Sequence, residues 1–212
     1  PESVSVALDT SLPPTPTLHV CSLHIQTQLR QTPRGRQQEI VLASIVGIPR
    51  FSLEGKLSNK PSEGWTVVTV QHGSDISSLQ SKAAEWTKGS GETRLSIKRN
   101  ELELLLALVQ KMHEMDPDVL LGHDMIRFTL DVLLQRFIVR GIKDWHYFSR
   151  RKASGRLPRP AGHSAGKDSV ATELTVGRLL GDTERSAEEF MGRESTYTLS
   201  HLAQRVFHET WN

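Results

Sequence analysis

The run ELELLLALVQKMHEMDPDVLLGHDMIRFTLDVLLQR, Glu101 to Arg136, constrains the fold more than any other stretch of the chain. Asn100 and Glu103 are spaced as a capping box, with Asn100 as N-cap and Glu103 reaching back to it. Leu102, Leu105, Leu106, Val109 and Met112 then recur at helical spacing, and Asp116-Pro117 stops the helix. Val119 to Gly122 reads as a short buried strand. Met125 to Arg140 reads as a second amphipathic helix, with Phe128, Val132, Leu133, Phe137 and Ile138 inward and Gly141 as its stop. A short apolar strand between two amphipathic helices calls for a layered domain, with helices laid on a sheet.

The upstream chain supplies that sheet. LHVCSLHIQT (Leu18 to Thr27), EIVLASIVGI (Glu39 to Ile48) and WTVVTVQH (Trp65 to His72) are rich in β-branched and aromatic residues. Turn residues separate them, so an antiparallel meander of three strands is expected. Gly73 to Arg94 is polar and rich in Ser and Gly, and reads as a surface excursion. Residues 1–17 read as a linker or arm, and residues 18–212 as one α/β domain with helices covering a mixed sheet. Within it, Ser149 to Lys167 is a basic loop, Glu173 to Asp182 a last strand and Tyr197 to Phe207 a final helix.

Composition removes several function classes. Twenty-six basic and 24 acidic side chains give a formal charge of +2, too balanced for a general nucleic-acid coat or a membrane-surface protein. The longest apolar run, Leu102 to Val109, is far too short to span a bilayer. The single cysteine, Cys21, has no internal disulfide partner, which suits a reducing compartment. No signal segment opens the chain, and its start at Pro1 without a methionine is expected of a piece of something larger.

Candidate chemistry is sparse. His24 and Gln26 lie two apart on the first strand and so share one face. His24, His123 and Asp124 could converge on a transition metal, against the simpler reading of hydrogen-bonded residues. Asp182-Thr183-Glu184 has the D-x-E spacing of a nuclease strand, weighed against a structural role. Arg150, Arg151, Lys152, Arg156, Arg159 and Lys167 form a cluster without an acid that could hold phosphates, or simply be a solvated charge run. Trp145, His146 and Tyr147 could stack bases, though packing of the helix end is the plainer role. Trp65 and Trp211 read as packing residues, Arg127 as a surface arginine and Cys21 as a buried strand residue.

The stretch DPDVLLGHD (Asp116 to Asp124) followed by Phe128 resembles the proofreading 3′–5′ exonuclease domain of family-B DNA polymerases. There, D-P-D leads to a strand ending G-[YH]-N, and F-D follows on the next helix. LHVCSLHIQTQ (Leu18 to Gln28) falls on the family's first strand, with its F-D-I-E-like core, and QQEIVLASIVG (Gln37 to Gly47) on its second. The resemblance implies a ribonuclease-H-like fold with five or six strands. It also implies what is missing: the first-strand Asp and Glu fall on His24 and Gln26, the Asp after Phe falls on Thr129, and the Asn falls on Asp124. Two-metal hydrolysis needs two cations about 4 Å apart between anionic oxygens, and magnesium prefers carboxylates. No catalytic residue and no metal are therefore expected here.

HDMIRFTLDVLLQR and TVGRLLGDTERSAEEF (Thr175 to Phe190) further resemble the alpha type within the family. That resemblance implies a nuclear replicative polymerase that uses Mg²⁺ elsewhere in its chain. It would extend RNA/DNA primers on a DNA template with primase and accessory subunits, without proofreading. The fragment itself would be a silent structural domain. The alternatives are a nucleic-acid-binding module using residues 150–167, or a rearranged nuclease built from Asp124, Asp182 and Glu184.

Overall fold

A computed structural model describes residues 15–32, 35–54, 63–70, 75–90, 93–151, 171, 173–192 and 196–207. The strands are β1 (Leu18–Thr32), β2 (Gly35–Phe51), β3 (Glu63–Thr69), β4 (Thr93–Lys98), β5 (Val119–Gly122) and β6 (Leu179–Asp182). They form one mixed sheet in the order β4-β3-β2-β1-β5-β6. β1, β2 and β3 are the antiparallel meander, while β4, β5 and β6 join through parallel pairings. This is the α/β, ribonuclease-H-like arrangement expected of the family-B exonuclease domain.

Alternation on β1 decides which face carries the core. Cys21, Leu23 and Ile25 are buried, and the intervening Ser22, His24 and Gln26 are exposed. Register carries the buried face across the sheet: Leu23 lies opposite Ile45, Ile25 opposite Ala43, and Ala43 opposite Val67. Helices α2 (Glu101–Met115) and α3 (Leu130–Arg140) supply Leu104, Leu105, Leu108, Met112, Leu133 and Phe137 to the same cluster. Each such side chain is worth about 1.5–3 kcal/mol when fully buried.

The boundaries of α2 follow the expected chemistry with one change. Asn100 Oδ1 accepts from the Glu103 amide at 3.0 Å, but Glu103 Oε2 reaches the Arg99 amide at 3.1 Å rather than that of Asn100. Asp116 ends the helix in a left-handed conformation, with φ 38°. The buried stripe is rotated from the expected one: Leu102 and Leu106 are 40% and 45% exposed, while Glu101, Leu104 and Leu108 face inward. Glu101 is held on this inward face by Arg136 and Arg140 of α3.

Three further expectations are corrected. Residues 73–94 are not simply an excursion, because Ile76–Ser90 forms helix α1 and β4 follows it. Helix α1 lies along the sheet edge: Thr87 Oγ1 accepts from the Leu95 amide at 3.0 Å and Gln80 Nε2 donates to the Ile97 carbonyl at 3.3 Å. The helix expected over Met125–Arg140 is divided into a π-helical turn, Met125–Thr129, and α3, and its Ile138 is 43% exposed. The expected strand over residues 173–182 is confined to β6, because Thr175 still closes a helical turn onto Ala171 and Gly177 has φ 85°. Helices α4 (Thr183–Phe190) and α5 (Leu199–Phe207) complete the described chain. Among the described residues, no helix is long and apolar enough to cross a membrane.

Candidate functional site

The carboxyl ends of β5 and β6 meet at one end of the sheet, beside the middle of β1, which runs on past Ser22 to Thr32. Ser22 pairs with Leu121 and Gly122 with Asp182, so continuing β1 by two residues brings His24 level with His123. The approach is close: a Cβ on Gly122 would stand 3.0 Å from the Leu23 carbonyl oxygen. His24 and Gln26 project from β1 on the exposed face, opposite Ser44 and Leu42 of β2.

Asp124 follows β5 in the left-handed region, with φ 49° and ψ 44°. Its carbonyl accepts from Phe128 at 3.2 Å and from Thr129 at 3.0 Å, which widens the turn and buries Thr129. Its side-chain Oδ1 is buried and has no hydrogen-bond partner among the described residues. The β6 acid is differently employed. Asp182 is buried, accepts from the Ile126 amide at 3.1 Å through Oδ2, and caps α4 by accepting from Glu184 at 3.1 Å through Oδ1. Both oxygens are thus committed to backbone. Thr183 donates to the Gly122 carbonyl at 3.3 Å, and its hydroxyl oxygen lies 3.1 Å from His123 Nδ1. Desolvation, then the charge of Asp124, pushes the Glu184 carboxyl above its ordinary range. Arg127 pairs with Glu188 at 2.9 Å.

This donor set does not fit a pair of magnesium ions. An imidazole, an amide and a buried hydroxyl bring no negative charge to His24, Gln26 and Thr129, and Asp182 is spent on two amides. Among the described residues, no group of three or more His, Cys, Asp or Glu side chains could hold a metal.

The D-P-D stretch serves a different purpose. Asp116 accepts from Arg150 Nε at 3.0 Å and from Arg178 Nη1 at 2.8 Å, and Asp118 accepts from Arg150 Nη1 at 2.8 Å and the His19 amide at 2.7 Å. The His19 amide and the Arg150 guanidinium hold the Asp118 carboxyl below the usual range. Arg178, with a side chain 2% exposed, also donates to the carbonyls of Phe148, Pro117 and Tyr147. Gly177 sits against this clamp; a Cβ there would stand 2.9 Å from Arg150 Cβ. Arg150 is therefore engaged within the protein, and Arg151 is exposed. Lys152, Arg156, Arg159 and Lys167 lie outside the described residues, as does Trp211. Just upstream, Trp145 is buried and Tyr147 stacks on His113 at 4.1 Å.

Sequence reasoning missed an ionic cluster beneath the β1–β2 hairpin. Glu101 Oε1 accepts from the Ile40 amide and Arg136 Nε, both at 2.8 Å, and Oε2 accepts from Arg136 Nη2 and Arg140 Nε, both at 2.6 Å. Arg140 also meets Glu39 at 2.8 Å, and Glu39 meets Arg30 at 3.2 Å. Burial alone would raise the Glu101 carboxyl, but the arginines and the Ile40 amide outweigh it and hold it low. The available signal was Arg136, a charge set inside the apolar period of α3.

Comparison with known proteins identifies the family. Residues 1–202 match the exonuclease domain of DNA polymerase family B. The chain is 30% identical to the DNA polymerase alpha catalytic subunit of Xenopus laevis over 206 residues, covering 97% of this chain and 13% of that protein. Likeness to the corresponding subunit of Mus musculus is 29% over the same shares, and to that of Leishmania donovani 29%, over 94% of this chain and 14% of the relative. The chain thus spans about one-seventh of these relatives. It belongs to the exonuclease-domain family of family-B DNA polymerases.

Proposed function

We propose that this is an exonuclease-like domain without nuclease activity, serving as an architectural element of an alpha-type replicative DNA polymerase. The observation that carries this reading is the donor set at the sheet's end, where His24, Gln26 and Thr129 replace anionic oxygens and Asp182 is bound to backbone amides. The whole protein would then synthesise DNA in the nucleus from RNA/DNA primers on a DNA template, with Mg²⁺ at a polymerase centre outside this chain. It would work beside primase and accessory subunits and would not correct its own errors. The alpha-subunit names of its relatives support that context.

The test is direct. The 212-residue chain, given Mg²⁺ or Mn²⁺, leaves single-stranded DNA at full length. Metal-dependent trimming that disappears on changing Asp124 or Asp182 would overturn the reading in favour of a rearranged nuclease.

A further inference from the structure

A cavity of about 470 Å³ opens between α1, β4 and α2 and is built from residues that the sheet-end site does not use. Its wall includes Trp65 of β3, and register places Arg94 beside Trp65 and Ser96 beside Val67. Lys88 enters from the last turn of α1 and Lys111 from α2. The local charges are unequal. Lys111 is paired with Glu63 and stands 3.9 Å from Glu114, so one ammonium serves both carboxylates. Arg94 also helps keep Glu63 ionised, yet neither Arg94 nor Lys88 has an ion-pair partner among the described residues. The cavity therefore presents a guanidinium, an ammonium and a hydroxyl beside an indole, with Lys111 and the Glu114 carboxylate it offsets also on the wall.

We propose that this cavity binds a phosphate carried by a nucleobase-bearing ligand, with Arg94, Lys88 and Ser96 on the phosphate and Trp65 against the base. A guanidinium fork suits two phosphate oxygens at once, and an ammonium adds a point charge. The indole supplies a flat apolar surface, on which bases stack with little regard to sequence. The same chemistry is offered by a free nucleotide and by the phosphorylated end of a strand. This proposal is independent of whether the sheet-end site cleaves DNA.

The experiment follows amide and indole signals of the 212-residue chain by nitrogen-15 NMR. The probes are orthophosphate, thymidine 5′-monophosphate and a 5′-phosphorylated thymidine hexamer, at constant ionic strength. We expect shifts at Lys88, Arg94, Ser96 and the Trp65 indole. The monophosphate should bind about 10-fold tighter than orthophosphate, the scale of one stacked base. Lys88→Gln and Arg94→Gln should each weaken it about 10-fold, as loss of one charge-assisted contact does, while Lys143→Gln leaves it unchanged. Of the two nucleotide probes, the tighter identifies the source, a free nucleotide or a strand end. Equal affinity for orthophosphate and the monophosphate, shifts that persist in both glutamine variants, or no shift at these residues would each overturn the proposal. Lys88 is exposed on α1, so its substitution leaves the fold intact and the test valid even if a core-facing change at Trp65 does not.

Discussion

Replacing Glu101 with glutamine keeps the side chain's size and removes its charge, and so tests the cluster beneath the hairpin. Glu101 and Arg136 are 4% and 5% exposed, and the carboxylate accepts four hydrogen bonds from two arginines and the Ile40 amide. Glutamine has one acceptor oxygen, and its amide group would point donors at donors. Removing one member of a buried pair strands the other charge and costs about 3–5 kcal/mol. That is a large share of the ~5–15 kcal/mol that holds a domain together. At about 2–4 °C per kcal/mol for a chain of this length, the melting temperature should fall by roughly 6–20 °C.

Acid gives the loss a signature. The carboxyl of Glu101 is held below its unfolded value in the folded protein, so its contribution is fully present above about pH 4.3 and fades as pH falls through the folded-state value. Urea unfolding of the two proteins should show a wide gap at pH 7 that narrows on acidification. Pairing Glu101→Met with Arg136→Met should recover most of the loss, because an apolar pair leaves no stranded charge there. A Glu101→Gln cost below about 1 kcal/mol, or a gap independent of pH, would refute the reasoning.

The D-P-D clamp should respond unequally to its two partners. Arg178→Met leaves three carbonyls without a donor and should cost about 2–4 kcal/mol, whereas Asp116, 56% exposed, should cost about 1 kcal/mol as asparagine. Equal losses in chemical denaturation would contradict this division. Cys21 is fully buried, with its thiol pushed up to about 12, chiefly by desolvation. A thiol-specific disulfide reagent should label it at pH 8 only as fast as the protein opens; rapid labelling under native conditions would place it elsewhere.

Much of the scaffold was legible because it rests on local patterns. The alternation at Cys21, Leu23 and Ile25 fixed the strand's faces, and Asn100, Asp116 and Gly141 mark helix ends by their own chemistry. Helix α1 does carry Ile76, Leu79, Ala83 and Trp86 at helical spacing, but the stripe is sparse and set among Ser, Gln, Lys and Gly, so the polar composition of the stretch outweighed it. The rotation of α2 was hidden because an inward glutamate reads as solvent-facing until its arginines, 35 and 39 residues away, are known. The π-helical turn depends on the left-handed backbone of Asp124, which apolar spacing does not encode. At the candidate site, the positions of His24, Gln26 and Thr129 could be matched to a pattern. The engagement of Asp182 with Ile126 could not, because it joins segments 56 residues apart.

Helix α1 has a consequence for how the domain behaves in concentrated solution. An uncovered outer strand invites another chain to continue the ladder, and successive additions grow fibres. Here, side chains of Thr87 and Gln80 already occupy backbone groups of Leu95 and Ile97 that such a chain would use. The opposite margin is β6, four residues long and ended by a helix cap. A weakly apolar helix that contributes little to the interior thus acts as a terminator of polymer growth. Its selective value would lie in keeping the sheet from recruiting copies of itself.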